Sequence, residues 1–138
     1  MTVRFTNFYQ TLVIASFSYL VSIQIAGAQT NPPALAGCTN DRFVIGTDNN
    51  EIKTAGTTYT PKCLKVKIGA LVTIQATQRH PLLAIPDING VSNPFASNES
   101  AITAQTRKMN VPGVFGYYCK AHGDEEGDGM AGVIIVEE

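Results

Sequence analysis

The chain has 138 residues, the length of a single domain. Charged residues make up 15% and apolar residues 44%, and the formal net charge is −1. That balance argues against a basic nucleic-acid binder, and the apolar content argues against intrinsic disorder. With three Cys and two His in the whole chain, any Cys/His metal site draws on a short list.

No Asp, Glu, Lys or Arg stands between Arg4 and Asp41. Thr11 to Ile25 is mostly apolar and is followed by Ala26-Gly27-Ala28. A basic start, a short apolar run and an A-x-A site describe a secretory signal over residues 1–28. A retained membrane anchor is the rival reading, but the run falls short of the ~20 residues a spanning helix needs. Cleavage after Ala28 leaves 110 residues with 9 basic and 11 acidic side chains, a net charge of −2. No membrane span is expected after cleavage, and the product is expected in a periplasm or outside the cell.

Gln29 to Asn40 contains Asn31-Pro32-Pro33 and reads as a linker, with the domain following over residues 41–138. Arg42 to Thr47 is a short apolar strand. Asp48 to Gly56 is polar and reads as a loop or one helical turn. Leu64, Val66 and Ile68 alternate with Lys65 and Lys67, the period of a strand with one wet face. Gly69-Ala70 turns the chain into a strand over Leu71 to Ala76, and Leu82 to Ile85 offers another. Asp87 to Ser100 is rich in Asn, Ser and Gly and reads as a long loop; it holds the sequon Asn98-Glu99-Ser100. Ala101 to Thr103 and Lys108 to Val111 read as strand pieces before the turn signal Pro112-Gly113. Val114 to Cys119 is aromatic and β-prone, Gly123 to Gly129 is an acidic loop, and Ala131 to Val136 is a closing strand. No helical period is sustained. Short strands punctuated by turns predict an all-β sandwich or barrel.

Export implies an oxidising compartment in which disulfides persist. Three Cys allow one pair and leave one thiol. Cys38 and Cys63 share the first half of the mature chain, so their pairing is expected, with Cys119 reduced. The sequence alone leaves the other two pairings open.

The chemistry concentrates near the C-terminus. Gly116-Tyr117-Tyr118-Cys119-Lys120-Ala121-His122 is followed by Gly129-Met130-Ala131-Gly132 and an apolar strand. His80 is the only other His. Two imidazoles, one thiolate and a weak thioether form the ligand set of a mononuclear blue-copper site. The soft thiolate binds both copper oxidation states, the imidazoles serve both, and a distant thioether favours Cu(I). The same His2Cys set also suits zinc.

The segment YYC-x2-H with the following GM-x-G-x-I-x-V run resembles the cupredoxins of the plastocyanin/azurin type. The resemblance is good from His80 to Glu138 and looser from Asp41 to Arg79. It implies a Greek-key β-sandwich in which His80, Cys119 and His122 are equatorial copper ligands and Met130 is axial. It implies one-electron transfer rather than enzymatic catalysis, copper cycling between Cu(I) and Cu(II), and a monomer. Its redox protein partner would be a c-type cytochrome, an oxidase or a reductase. The alternative is a periplasmic copper-binding or copper-delivery protein without redox turnover. The Cys38–Cys63 pair resembles the disulfide near the start of some azurin-like members. A Cys119–His122 nucleophile–base pair is the enzymatic reading, and no orienting carboxylate is specified for it.

Two features depart from the plastocyanin pattern. The ligand loop is Cys119-x2-His122-x7-Met130 instead of Cys-x2-His-x4-Met, and its extra length is acidic: Asp124, Glu125, Glu126 and Asp128. Glu125 or Glu126 is therefore a rival to Met130 as the axial ligand. Pro81 follows His80 where the family usually has Asn, so an N–H donor to the thiolate is missing. Ala121 stands where plastocyanins have Pro, which makes its N–H the donor available on the opposite side.

Overall fold

The computed structural model describes residues 35–138 apart from Pro86 and Asn89. The secretory signal expected over residues 1–28 lies outside the described residues. Among the described residues nine strands form two sheets. They are β1 (Val44–Ile45), β2 (Asn49–Ala55), β3 (Thr58–Thr60), β4 (Cys63–Lys67), β5 (Leu71–Ile74), β6 (Leu82–Ala84), β7 (Gln105–Lys108), β8 (Gly113–Gly123) and β9 (Gly129–Glu137). One sheet has the order β1-β4-β9-β8-β6 and the other β3-β2-β5-β7. Parallel pairs (β1 with β4, β4 with β9, β2 with β5) mix with antiparallel ones, so the chain crosses repeatedly between the sheets. The all-β sandwich expected from the short, turn-bounded strands is the fold observed.

Alternation decides what faces inward. In β4, Leu64 and Val66 are buried, Lys65 is half-buried and Lys67 is exposed. Their inward faces join Ile52, Val72, Ile74, Phe115, Tyr117 and Ile134 in the main core. β9 departs from a simple alternation because it is covered on both faces. Met130, Ile134 and Val136 face the main core, while Ala131, Val133 and Ile135 pack with Ala36, Cys38 and Cys63 on the other side. Central, doubly covered strands read as continuous apolar runs, and Ala131 to Val136 is such a run.

Cys38 and Cys63 are disulfide-bonded, and Cys119 is a free, buried thiol, as expected. Closing a loop with a sequence separation of 25 contributes about 3.5 kcal/mol on the chain-entropy account. Residues 35–40, at the end of the stretch read as linker, are folded: two 3-10 turns, Leu35–Gly37 and Asn40–Arg42, lead into β1.

Several expected elements differ. Asp48 to Gly56 is not a loop or helical turn but contains β2, which pairs with β3 on one side and β5 on the other. Its sequence NNEIKTA offers one strongly apolar side chain, Ile52, so pairing on both edges, and not its own hydrophobicity, holds it extended. β7 lies at Gln105–Lys108 rather than Lys108 to Val111, and Val111 is exposed. Ala101 forms only an isolated bridge to Leu82. Ile68, expected on the dry face of β4, lies beyond the strand end and is 44% exposed.

Candidate metal centre

The site is assembled by β6 and the β8–β9 hairpin. Cys119 pairs with Leu82 across β6 and β8, and the Lys120 N–H donates to the Pro81 carbonyl at 2.8 Å. That register brings His80, two residues before Leu82, alongside Cys119. His80 is steadied by a tight turn. Its N–H donates to the carbonyl and hydroxyl of Thr77, each at 3.1 Å, and its carbonyl accepts from the Thr77 N–H at 3.1 Å.

The hairpin carries the rest. β8 and β9 stay in register through Tyr118 opposite Ala131, then resume at Gly123 opposite Gly129. Between these pairs β8 has four residues, Cys119 to His122, and β9 has only Met130. Such a bulge re-aims side chains. It leaves Cys119 fully buried and His122 exposed, yet both reach one point. Gly129 closes the hairpin with a φ of 66°, and its missing Cβ makes room for the His122 carbonyl.

The Cys119 Sγ lies 3.4 Å from His122 Nδ1 and 3.9 Å from His80 Nδ1. The rings of the two histidines tilt at 41° with centroids 5.0 Å apart. The ligand atoms of His80, Cys119 and His122 all fall within 4.8 Å of one another. An ion bound at ~2.3 Å from a thiolate and ~2.0 Å from an imidazole separates those two atoms by ~3.5–3.7 Å in tetrahedral or trigonal geometry. The two sulfur–nitrogen distances straddle that span, so the residues fit a metal. Met130 is 1% exposed, faces the same core as Cys119 and stands opposite the bulge. Glu125 and Glu126 are exposed, and no carboxylate joins the three clustered donors among the described residues. Among the described residues no hydrogen bond runs from the Ala121 N–H, expected as a donor, to the sulfur; the hydrogen-bonding contacts of Sγ there are with the two Nδ1 atoms.

The surroundings favour the neutral form of His80. The pKa of His80 is lowered, first by loss of hydration and then by His122 and Arg79. Beneath Cys119 lies an apolar floor. Tyr59 is 2% exposed, meets the Tyr117 ring edge-on at 4.9 Å, and leaves its hydroxyl without a partner among the described residues. Burial raises the pKa of Tyr59, with a further push from Cys119. Sequence reasoning did not single out Tyr59, because a Tyr in the polar run TTYT carries no sign of burial. It also missed Asn93, whose buried amide donates to the carbonyls of Ile85 and Gly116 at 3.1 and 2.8 Å and so ties the long loop to β6 and β8.

The acidic insert forms a compact turn. The Asp124 carboxylate accepts from the Asp128 N–H at 2.9 Å, and the Asp124 carbonyl accepts from the Gly127 N–H at 3.3 Å. The insert borders Tyr118, whose pKa is raised by burial and then by Glu125, Glu126 and Asp124.

No protein-family model matches the chain, and no curated protein sequence matches it. Solved structures do. A copper-containing nitrite reductase from Thermus scotoductus aligns with 71% of this chain at 19% identity and a TM-score of 0.54; the match covers 28% of that longer protein. A Sinorhizobium pseudoazurin aligns with 65% of this chain at 21% identity and a TM-score of 0.50, over 74% of its own length. At these identities the likeness is one of fold, and the fold is the cupredoxin β-sandwich.

Proposed function

We propose that this protein is a small one-electron carrier whose mononuclear copper site is held by His80, Cys119 and His122, with Met130 as the axial ligand. The observation that carries this reading is the convergence of one buried thiol and two imidazole Nδ1 atoms around a single point. A His2Cys set with a weak thioether is the donor chemistry of blue-copper electron-transfer sites. When bound, copper supplies the Cu(I)/Cu(II) couple.

The chain's own residues do the rest. Cys119 lies in an apolar floor that keeps water from the sulfur, and the Thr77 turn fixes His80. His122 is exposed and opens the site to solvent, which suits contact with another redox protein such as a c-type cytochrome, an oxidase or a reductase. Electron transfer needs no substrate pocket, so the role is not enzymatic. The Cys38–Cys63 disulfide supports an oxidising, exported setting, periplasmic or extracellular. Among the described residues no helix is long and apolar enough to cross a membrane.

The test is to add Cu(II) to the purified protein, record the visible spectrum and follow reversible reduction by voltammetry. An intense thiolate-to-copper band with a reversible wave is expected. Cys119→Ser should lose the band and keep the far-UV signature of the folded sandwich, because Cys119 is one small member of a core built mainly from larger apolar side chains. A variant that kept the band would remove Cys119 from the site. Tight binding without reversible reduction would make this a copper-delivery protein.

A further inference from the structure

The ligand loop between His122 and Met130 is exposed at Asp124, Glu125, Glu126 and Asp128, yet Gly127 in its midst is buried. Leu35 and Ala36, at the start of the segment Leu35–Cys38, lie against it. A Cβ on Gly127 would sit 2.8 Å from the Ala36 nitrogen and 2.9 Å from Leu35 Cδ1. The other methyl of Leu35 presses on β8, because a Cβ on Gly116 would sit 2.9 Å from Leu35 Cδ2. One leucine side chain thus rests on two side-chain-free positions, one in the ligand loop and one in the strand that leads to Cys119.

The segment is fastened at its other end. Cys38 is 1% exposed and bonded to Cys63, and its N–H donates to the Leu35 carbonyl at 2.9 Å. Cys63 pairs with Val133 in β9, four residues beyond Gly129. Inside the loop the hydrogen bonds that define the turn all run between Asp124, Gly127 and Asp128. They shape the turn without tying it to the sheet.

We infer that Leu35–Cys38 is a strap, fastened by the Cys38–Cys63 disulfide, that positions the ligand loop through contact of Leu35 with Gly127 and Gly116. Leu35 is a positioning residue: it acts on His122 and Met130 through the loop that joins them. The strap converts a thiol–disulfide state into the rigidity of the loop. Its consequence for copper rests on the function proposed above; its effect on the metal-free loop does not.

The experiment is amide hydrogen exchange on the metal-free, full-length protein, wild type against Leu35→Ala, Leu35→Met and the double variant Cys38→Ser/Cys63→Ser. Leu35→Ala is expected to speed exchange at residues 124–129 by about tenfold while the β4, β8 and β9 core amides hold, because local openings can be raised without global unfolding. Leu35→Met should restore most of the protection. The double serine variant should act on the loop in the same direction as Leu35→Ala. A parallel measurement of Cu(II) release by a chelator should show about tenfold faster loss in Leu35→Ala, the size of effect that residues supporting metal ligands have. Unchanged loop exchange in Leu35→Ala overturns the strap, and so does an equal rise across the whole sheet, which would make Leu35 plain packing. Failure of the wild type to bind copper, with loop exchange still responding to Leu35→Ala, would sink the copper reading and leave the strap standing.

Discussion

The phenol of Tyr117 lies across its hairpin partner Gly132, in the space that a side chain at position 132 would need. Both belong to the segments that carry the metal-ligand candidates. The Tyr117 hydroxyl continues past the glycine to the carbonyls of Lys62 and Pro61, donating at 3.3 and 3.4 Å. Gly132→Ala forces the ring from that slot. A loss of about 1–3 kcal/mol is expected, as for other overpacked cores, together with a distorted copper band. Tyr117→Phe, which only removes the hydroxyl's bonds, should cost about 1 kcal/mol. Urea unfolding of the three proteins gives the comparison, and an alanine at 132 that costs no more than the phenylalanine at 117 would show that the slot yields.

Met130 and the loop carboxylates are the candidates for the axial role in the proposed site, and burial separates them. Met130→Leu keeps the volume and removes the sulfur, so the folded protein should bind copper with a shifted band and a changed reduction potential. Glu125→Gln/Glu126→Gln should leave both unchanged. A spectrum that follows the glutamates instead would pass the axial position to one of them.

His80 is held below the ordinary histidine range chiefly by lost hydration. The unfolded chain therefore takes up the proton at a higher pH than the native metal-free protein does. Between the unfolded value of about 6.5 and the lower native value the unfolded state binds more protons, so stability falls as pH drops through this window and is recovered above it. An NMR titration should give His80 a midpoint under 6.5. A midpoint at or above that of a free imidazole would contradict its placement beside His122 and Arg79.

The acidic insert acts on its neighbour Tyr118 and is expected to steer a cationic partner at a distance. Changing Asp124, Glu125, Glu126 and Asp128 to their amides should lower the Tyr118 pKa part of the way, because burial is the larger cause and stays. Asp124→Asn keeps an oxygen acceptor for the Asp128 N–H, so the turn should survive. The same variant should associate more slowly with a basic cytochrome and show a flatter dependence on salt, since screening sets in over a Debye length of ~8 Å at physiological ionic strength. Arg79 and Lys120 adjoin the candidate ligands His80 and Cys119 in the chain. An association rate indifferent to the four amides would show that these cations offset the insert.

Legibility in the sequence followed the number of signals each residue carried. Cys119 and His122 share a motif, and His80 is the only other imidazole, so scarcity pointed to the site before geometry did. β4 announced itself through Leu64-Lys65-Val66-Lys67, and β9 through its unbroken apolar run. β2 did not, because Ile52 alone in NNEIKTA gives no period; its extended form comes from partners distant in the chain. The strap was hidden for a similar reason. Leu35-Ala36-Gly37 is too short to show a pattern, and its neighbours Asn31-Pro32-Pro33 read as linker. What makes Leu35 matter is the absence of side chains at Gly116 and Gly127, a complementarity that only the folded chain displays.

The place of β9 bears on the order in which the molecule can form. It is the middle strand of the five-stranded sheet, bounded by β4 and β8, and it follows all the other described strands in the chain. Until it is in hand, β4 and β8 have no common neighbour and the inner face of the second sheet has little to close upon. Long-range pairings of this kind carry a loop-closure cost before any reward. Sandwich and candidate site should therefore become complete in the same event, and a chain stopped short of Gly129 would hold a thiol and two imidazoles without the frame that brings them together.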